Sequence, residues 1–532
     1  MGVTTSRRRA EQRGLRLWPV GTVLVLTFTT AVLIATAVFY TGWDLLGAHG
    51  LKPEHRIDSK TLFDLVKLSF GVVAGAGALV ALVVAYRRQR IDEDGALREA
   101  TRLHTERFTT AVTQLGNDSA AVRLGGVHAL AGLTDDAPTR DLRQTCIDVL
   151  CAYLRLPYTA EADLPADDAE ARHAYLALRE VRHTVIRLIR DHLRLPSEHE
   201  HSWQGHDFDF TGGTFDGGDF SDAVFSSGTV SFSGVQIVSG AVDFRSAEFA
   251  GATASFSGAR FIGGTANFHT AWFRGGTVDF SRAEFAGGTV DFSGARFTGG
   301  TVGFHDSGFT GGTVDFLDAQ FTGGTVGFIG AELAEGTVDL RSAEFAGATV
   351  SFSGARFTGS TVDFSGARFT GGTVGFHDSG FTGGTVDFST ARFTGGTVDF
   401  IIAEFANGTV DFSTAWFRGG TVDFSRAEFT GGTVDFRDAR FYEGIVGFRN
   451  ARFARGTVGF NSAGFAGATV DFNGAWFTGD GTVDFGGARF SGGRIDLREA
   501  NGVPPVDVVP PEGEPLPGGL SLPPAWYPAD SG

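Results

Sequence analysis

Two identical heptapeptides, GFHDSGF, set His305 beside Asp306 and His377 beside Asp378. A His next to a carboxylate is the least that acid–base catalysis requires. The two copies stand six repeats apart, with no nucleophile or second carboxylate near either in sequence, and they read as surface decoration. Cys146 and Cys151 lie five apart in a helical-looking stretch. That spacing is neither a CxxC site nor a disulfide framework, and it reads as two buried free thiols. No phosphate-binding GxxxxGK[ST], zinc-binding HExxH or GxSxG nucleophile turn occurs. No catalytic, cofactor-binding or metal-ligating set is expected, and the chain is not read as an enzyme.

The elements around these residues are dominated by one pattern. All of the 51 Phe except Phe28, Phe39, Phe63, Phe70 and Phe108 lie at or beyond Phe208. One Phe series runs 220, 232, 244 and onward in steps of twelve to 472, with Leu340 its single exception. A second trails it by five, from Phe225 to Phe477, with Ile237 and Leu333 as exceptions. Asp480 then adds one residue, and Phe485, Phe490 and Leu497 close the array. No Pro occurs between Pro196 and Pro504, as a continuous hydrogen-bonded β ladder requires. Self-similarity this strict predicts a solenoid in which each unit touches only its neighbours.

Within a unit such as TGGTVDFSTARF, Val386 and Phe388 form one inward pair and Ala391 and Phe393 the next. Strand alternation turns Thr385, Asp387 and Arg392 outward. The expected core is therefore Val386, Phe388, Ala391, Phe393, Phe400, Phe405 and their equivalents. Gly383 and Gly384 loosen one corner, and Ser389-Thr390 makes the other. The phrase GGTVDF is similar to the calcium-binding β-roll nonapeptide, but the period is twelve and the third Gly is missing, so no calcium role is assigned.

Ala391-Arg392-Phe393-Thr394-Gly395 carries a large apolar residue with a small one two positions earlier, and so resembles the pentapeptide-repeat family. Val386-Asp387-Phe388-Ser389-Thr390 fits with Val in place of Ala. The resemblance covers about residues 205–500. It implies an all-β solenoid, a right-handed quadrilateral β-helix of about 24 residues per coil, roughly eleven coils and near 50 Å long. A flattened coil, one twelve-residue unit per turn, is the alternative. Each unit exceeds two strict five-residue motifs by a pair of residues, which leaves the coil dimensions open. The helix ending near Leu195 is expected to cover one end and Arg494–Leu497 the other.

The N-terminal third differs. Trp18–Tyr40 and Leu68–Tyr86 are uncharged and mostly apolar, long enough for two membrane-spanning helices. Arg7, Arg8, Arg9, Arg13 and Arg16 precede the first, and Arg87, Arg88 and Arg90 follow the second. By the positive-inside rule both termini and the repeats face the cytoplasm. The expected divisions are a basic N-terminus (1–16), transmembrane helices at 17–43 and 65–86, an external loop (44–64), a helical connector (87–200), the repeats (205–500) and a disordered Pro-rich tail (501–532). The phrases ERFTTAVTQLG (106–116) and CAYLRLPY (151–158), ahead of the repeats, resemble the membrane-anchored pentapeptide proteins of actinobacteria. Arg172, Arg179, Arg182, Arg187, Arg190 and Arg194 line one predicted helix, facing the inner leaflet, the acidic repeats or solvent.

The whole chain carries a net charge of −17. Residues 205–500 hold about 33 acidic residues against 19 Arg. Asp387, Asp399, Asp411, Asp423 and Asp435, with the outward Trp272, Trp416 and Trp476, form the expected interaction surface. The expected partners are the lipid bilayer and a cytoplasmic protein, with direct nucleic-acid binding disfavoured by the charge. The sequence is read as a plasma-membrane interaction protein; the alternative is a DNA-mimicking modulator of gyrase, as some acidic rods of the family are.

Overall fold

The structure is a computed structural model that describes residues 20–45, 58–165, 167–478, 481–504, 508–509, 516 and 518–527. The chain divides into two compact units, Met1–Thr105 and Glu106–Gly532. In the first, α1 (Val20–Leu45) and the N-terminal part of α2 (Ser59–Leu115) contain the two apolar runs. The expected transmembrane hairpin falls partly outside the described residues, which omit 1–19, 46–57 and many side chains of α1. Among the described residues no helix is long and apolar enough to cross a membrane, so no transmembrane hairpin is found there.

The second unit joins the helical connector to the repeats, so no unit boundary falls near residue 200. The C-terminal end of α2, α3 (Ala120–Asp135), α4 (Arg140–Arg155) and α5 (Ala169–Leu193) bury Ala111, Leu130, Ile147, Val185 and Ile189. Thr139 caps α4 by accepting from Leu142 N, and Asp168 caps α5 by accepting from Glu170 N and Ala171 N, the role short polar side chains fill best. Their core is continuous with the Phe core of the repeats, through to Trp526.

The repeats form a parallel β solenoid. Arg260 pairs with Glu284 and Phe261 with Phe285, so one coil takes two of the twelve-residue units and the flattened single-unit coil is excluded. Each coil has four short strands. In the coil starting at Gly380 these are Gly380–Phe381 (face 1), Thr385–Asp387 (face 2), Arg392–Phe393 (face 3) and Thr397–Asp399 (face 4). Face 1 stacks 13 strands and face 2 stacks 12, while faces 3 and 4 belong to one 24-stranded sheet. Thirteen rungs at about 4.8 Å make the array about 58 Å long, two rungs more than expected over the same span, with pairing from Phe208 to Asn501–Gly502.

Phe388, Phe393, Phe400, Phe405, Val386 and Ala391 are all buried. Where Phe recurs in the next coil the two rings lie flat on one another: Phe364 on Phe388 at 4.7 Å and 4°, Phe393 on Phe417 at 4.7 Å and 3°. Within a coil, Phe376 meets Phe388 edge-on at 6.2 Å and 87°. Burial contributes about 1.5–3 kcal/mol per ring, and offset or edge contacts add about 0.5–1.5 kcal/mol per pair.

The corner after each first-series Phe is a four-residue turn. Ala391 N donates to Phe388 O at 3.0 Å, and Thr390 takes φ 59°, the left-handed third position of a type II turn. The equivalent residue is left-handed even where it is Ile402 (φ 63°). The other corner needs glycine for space. On the face-1-to-face-2 corner, a Cβ at Gly408 would stand 2.6 Å from Phe381 Cβ, and one at Gly432 2.8 Å from Phe405 Cβ. Ser360 is the one departure in this column, three residues after Phe357, which pairs with Leu333 instead of Phe. Its buried hydroxyl has no hydrogen-bond partner.

Both ends are covered. At the N-terminal end, α4 lies on Phe208–Asp209 and α5 on Gly218–Asp219, with Ile186 against Gly218. At the C-terminal end the Pro-rich tail, expected to be disordered, supplies part of the cover. Ile495 pairs with Leu520 and Asp496 with Ser521. Leu522 is buried, and Trp526 meets Phe477 edge-on at 5.9 Å while its indole N–H donates to Gly502 O at 3.0 Å. The last rung leaves an open edge and an apolar core end, and Leu520–Trp526 is the nearest chain able to pair with one and bury the other.

Gly432→Ala lowers the denaturant midpoint, at a cost of about 1–3 kcal/mol, whereas Ser360→Ala raises it because the unpaired hydroxyl is removed. Ending the chain after Val503 produces concentration-dependent association in sedimentation velocity, since Phe477 and the Ile495 edge are then uncovered.

Candidate functional site

Two polar clusters sit where the helices meet the first coil. Asp216, buried on the first coil, accepts from Tyr158 Oη and Tyr175 Oη at 2.6 Å each and from Arg179 Nε at 3.1 Å. His183 Nε2 stands 3.3 Å from its other oxygen. Burial alone raises a carboxyl pKa, but the His183 and two tyrosine hydrogen bonds outweigh it and hold Asp216 well below the usual range. Burial and the same carboxylate push Tyr175 up to about 12. Arg182 reaches Thr214 O at 2.5 Å and lies over the Tyr158 ring at 4.3 Å. Arg190 pairs with Asp219, and Arg194 with Asp222 at 2.9 Å. Four of the α5 arginines thus hold the first coil, and Arg172 pairs with Glu161 at 3.0 Å.

In the second cluster Asp135 accepts from Trp203 Nε1 at 3.0 Å and faces His192 Nε2 at 3.1 Å. His192 Nδ1 lies 2.6 Å from Leu188 O, and the imidazole stacks on Trp203 at 4.1 Å. Burial lowers the His192 pKa, but the carboxylate and carbonyl facing its two nitrogens prevail and raise it. Both nitrogens are occupied, so neither serves as a general base. Cys146 and Cys151 are buried, and desolvation drives their thiols up to about 11 and about 12, outside the range of reactive thiolates. These clusters clasp helix to coil; they do not assemble a nucleophile with a base.

Asp306 and Asp378 are left-handed corner residues, φ 54° and 57°, so the His-Asp repeats occupy turn positions. Among the described residues no group of three or more His, Cys, Asp or Glu could hold a metal ion. A cleft of about 470 Å³ opens between the end of α2 and α3, lined by Glu106, Arg107, Gln114, Leu133 and Asp136 among others; its open walls bring no catalytic set together.

The coil sorts the remaining surface residues by face, because successive units fall on opposite sides. Asp387, Asp411 and Asp435 lie on face 2, in an unbroken register of seven carboxylates with Asp291, Asp315, Asp339 and Asp363. Asp399 and Asp423 lie on face 4. Each is half-buried and accepts the backbone N–H two residues on, as Asp387 does from Ser389 N at 2.7 Å and Asp399 from Ile401 N at 2.7 Å. These aspartates close the Phe corners, a local bond that Asp and Asn form readily. Trp476 is on face 1, and Trp272 and Trp416 are on face 3. The eight residues expected to form one surface are therefore divided over four faces.

Sequence reasoning missed a concentration on face 3. Arg368, Arg392, Trp416 and Arg440 are consecutive rungs of one column. The Arg392 guanidinium stands 5.9 Å and that of Arg440 5.0 Å from the Trp416 ring centre. Beside them Tyr442 lies 6.3 Å from Trp416. The signal was available once the two-unit coil was known, since it separates these arginines from Glu404 and Glu428 on face 1.

Residues 328–380 match the family model of pentapeptide repeats (9 copies). The matched segment lies inside the stacked coils, and the same register continues on both sides of it. No curated protein and no solved structure matches the chain.

Asp216→Asn costs roughly 2–4 kcal/mol, because Arg179 and the Tyr pair lose their buried acceptor charge. The wild-type carboxylate is depressed, so its contribution is complete above the ordinary Asp pKa and is lost as pH falls through it toward the folded value. Denaturant titrations from pH 6 down to pH 2 show that acid-sensitive component in the wild type and a smaller one in the variant.

Proposed function

We propose that this chain is a non-enzymatic interaction scaffold, tethered at a membrane, that presents its solenoid to a cytoplasmic protein partner. The observation that carries this reading is the division of labour within each coil. The Val and the two Phe that recur in each repeat unit turn inward, while the outward positions form long, regularly spaced rows that are free to vary. Solenoids use such extended surfaces for binding. The helical clasp fixes the rod to the preceding segment instead of enclosing a substrate.

Tethering is supported by the apolar, uncharged runs in α1 and α2, where Val25, Leu26, Phe28, Leu33, Leu68, Phe70 and Leu82 are exposed. Such side chains on a long helix need lipid or protein around them. The Arg groups flanking both runs favour a cytoplasmic rod.

The face-2 carboxylate row favours a second reading, mimicry of a duplex by an acidic rod. Duplex DNA carries charge on all sides, whereas face 3 here carries Arg368, Arg392 and Arg440. Inhibition of gyrase supercoiling by the purified protein at micromolar concentration would establish mimicry; the scaffold reading expects none.

The scaffold reading is tested by photocrosslinking in cells from outward positions of the repeats, with membrane fractionation of the same cells. The expected result is discrete crosslinked proteins recovered with the membrane fraction. A rod that crosslinks to nothing from any face would overturn the proposal.

A further inference from the structure

One segment departs from the repeat on its outside while keeping it on its inside. Where the pattern reads ARFTGGTVDF, residues 439–448 read ARFYEGIVGF. The inward Phe441, Val446 and Phe448 are retained and buried. Outward Thr, Gly and Thr become Tyr442, Glu443 and Ile445, and one coil earlier Arg418 replaces a Thr. Trp416, Tyr442 and Ile445 are 43%, 43% and 50% exposed.

The backbone changes with them. Elsewhere the Gly-Gly corner separates the strands of faces 3 and 4. Here Trp416–Asp423 and Arg440–Gly447 each run eight residues through the corner, with register shifts around Arg418. Bulges of this kind re-aim side chains. The folding of the coil does not require Trp, Tyr or Ile outside, since other rungs carry Arg, Gln, Glu or Gly at the Trp416 position, Thr or Ala at the Tyr442 position and Thr at the Ile445 position.

We propose that this part of face 3, comprising Arg368, Arg392, Trp416, Arg418, Arg440 and Tyr442 with Ile445 at its rim, docks an extended acidic protein segment that carries apolar side chains among its carboxylates. This rests on the scaffold reading above and specifies its partner chemistry. Trp, Tyr and Arg are the residues that dominate protein–protein binding energy. Charge complementarity selects the partner: these four guanidiniums make no ion pair among the described residues, in a chain of net charge −17. From Arg368 to Arg440 is three rungs, about 14 Å, the reach of four to five extended residues.

Two other occupants fit less well. A polyphosphate backbone would meet Asp399 and Asp423 around the corner and Glu443 within the patch, whereas a short segment can place its carboxylates on the arginines alone. A second copy could offer the face-2 aspartates, but that face presents Thr and Asp outward and nothing apolar to cover Trp416 and Tyr442.

The test uses the full chain in detergent micelles and fluorescence anisotropy of a labelled twelve-residue peptide of eight Glu and four Leu. Binding is expected to weaken at least tenfold in Arg392→Glu/Arg440→Glu and in Trp416→Ala, and when Gln replaces Glu in the peptide. It should be unchanged in the face-1 control Arg452→Glu/Trp476→Ala. Absence of binding, or binding indifferent to the face-3 double variant, overturns the proposal. So does tighter binding of a twelve-residue oligothymidine, or self-association that the double variant abolishes without peptide binding. Crosslinked partners that persist in cells carrying the double variant would remove this face and leave the scaffold reading intact.

Discussion

Parallel stacking of phenyl rings at the spacing of a β ladder is the constraint on which the rest of this structure depends. A ring that must lie on its equivalent one coil away, at 4.7–4.9 Å along most of the Phe388 column, leaves almost no freedom in register. An added or missing residue within a strand would turn Val, Phe and Ala outward and the charged residues inward. Insertions are therefore confined to corners: among the described coils the step from rung to rung is 22 residues from Phe208 to Val230 and from Thr214 to Gln236, then 24, apart from the bulge at Arg418, until Thr457 pairs with Thr482, one position late. The Phe column also accounts for the glycine requirement, because on the face-1-to-face-2 corner the next coil passes against the Cβ of each ring.

Holding the rings in place has a cost at the corners. A left-handed residue other than Gly or Asn is disfavoured by roughly 1–2 kcal/mol, and the chain accepts it at Thr390, Ile402, Thr414 and Arg426. Where an aspartate precedes the Phe, it offsets part of that cost by bonding the N–H inside the turn, as Asp387, Asp399, Asp411 and Asp423 do. The carboxylate row that looks like a binding surface in one dimension is thus first a set of turn closures. Its like charges are offset in part because one oxygen of each accepts a backbone N–H, and at Asp339 and Asp435 a nearby guanidinium pairs with the carboxylate as well.

The period and the inward set were legible in the sequence, because a twelve-residue repeat with two inward pairs states them. The four-sided coil was only what the family resemblance implied, with a flattened single-unit coil left open until the pairing of Arg260 with Glu284 excluded it. The division of outward residues among faces was not legible. Arg392 and Glu404 are twelve apart and look like neighbours in one row, yet a coil of two units sets them on faces 3 and 1. The Asp216 clasp was equally hidden: Tyr158, Tyr175, Arg179 and His183 come from α5 and the segment before it, and no spacing announces that they converge on one carboxylate of the first coil. The tail misled for a compositional reason. Its many Pro residues argue against a strand, and the pairing of Leu520 and Ser521 needs only two residues between them.

A strict interior makes the exterior readable. In an ordinary globular domain an exposed Trp has many possible structural reasons, and its neighbours offer no standard against which to judge it. Here each outward position is compared with a dozen others in the same backbone setting, most of them Thr, Gly, Asp or Arg. The coil is stable with those residues, so Trp416, Tyr442 and Ile445 are not there to hold it. Their contacts inside the chain are with one another and with arginine, Trp416 with Tyr442 and beneath the Arg392 and Arg440 guanidiniums, and none of these joins the Phe core. Clustering on adjacent rungs, beside arginines that make no ion pair among the described residues, is what separates them from the scattered exposed side chains that any surface carries.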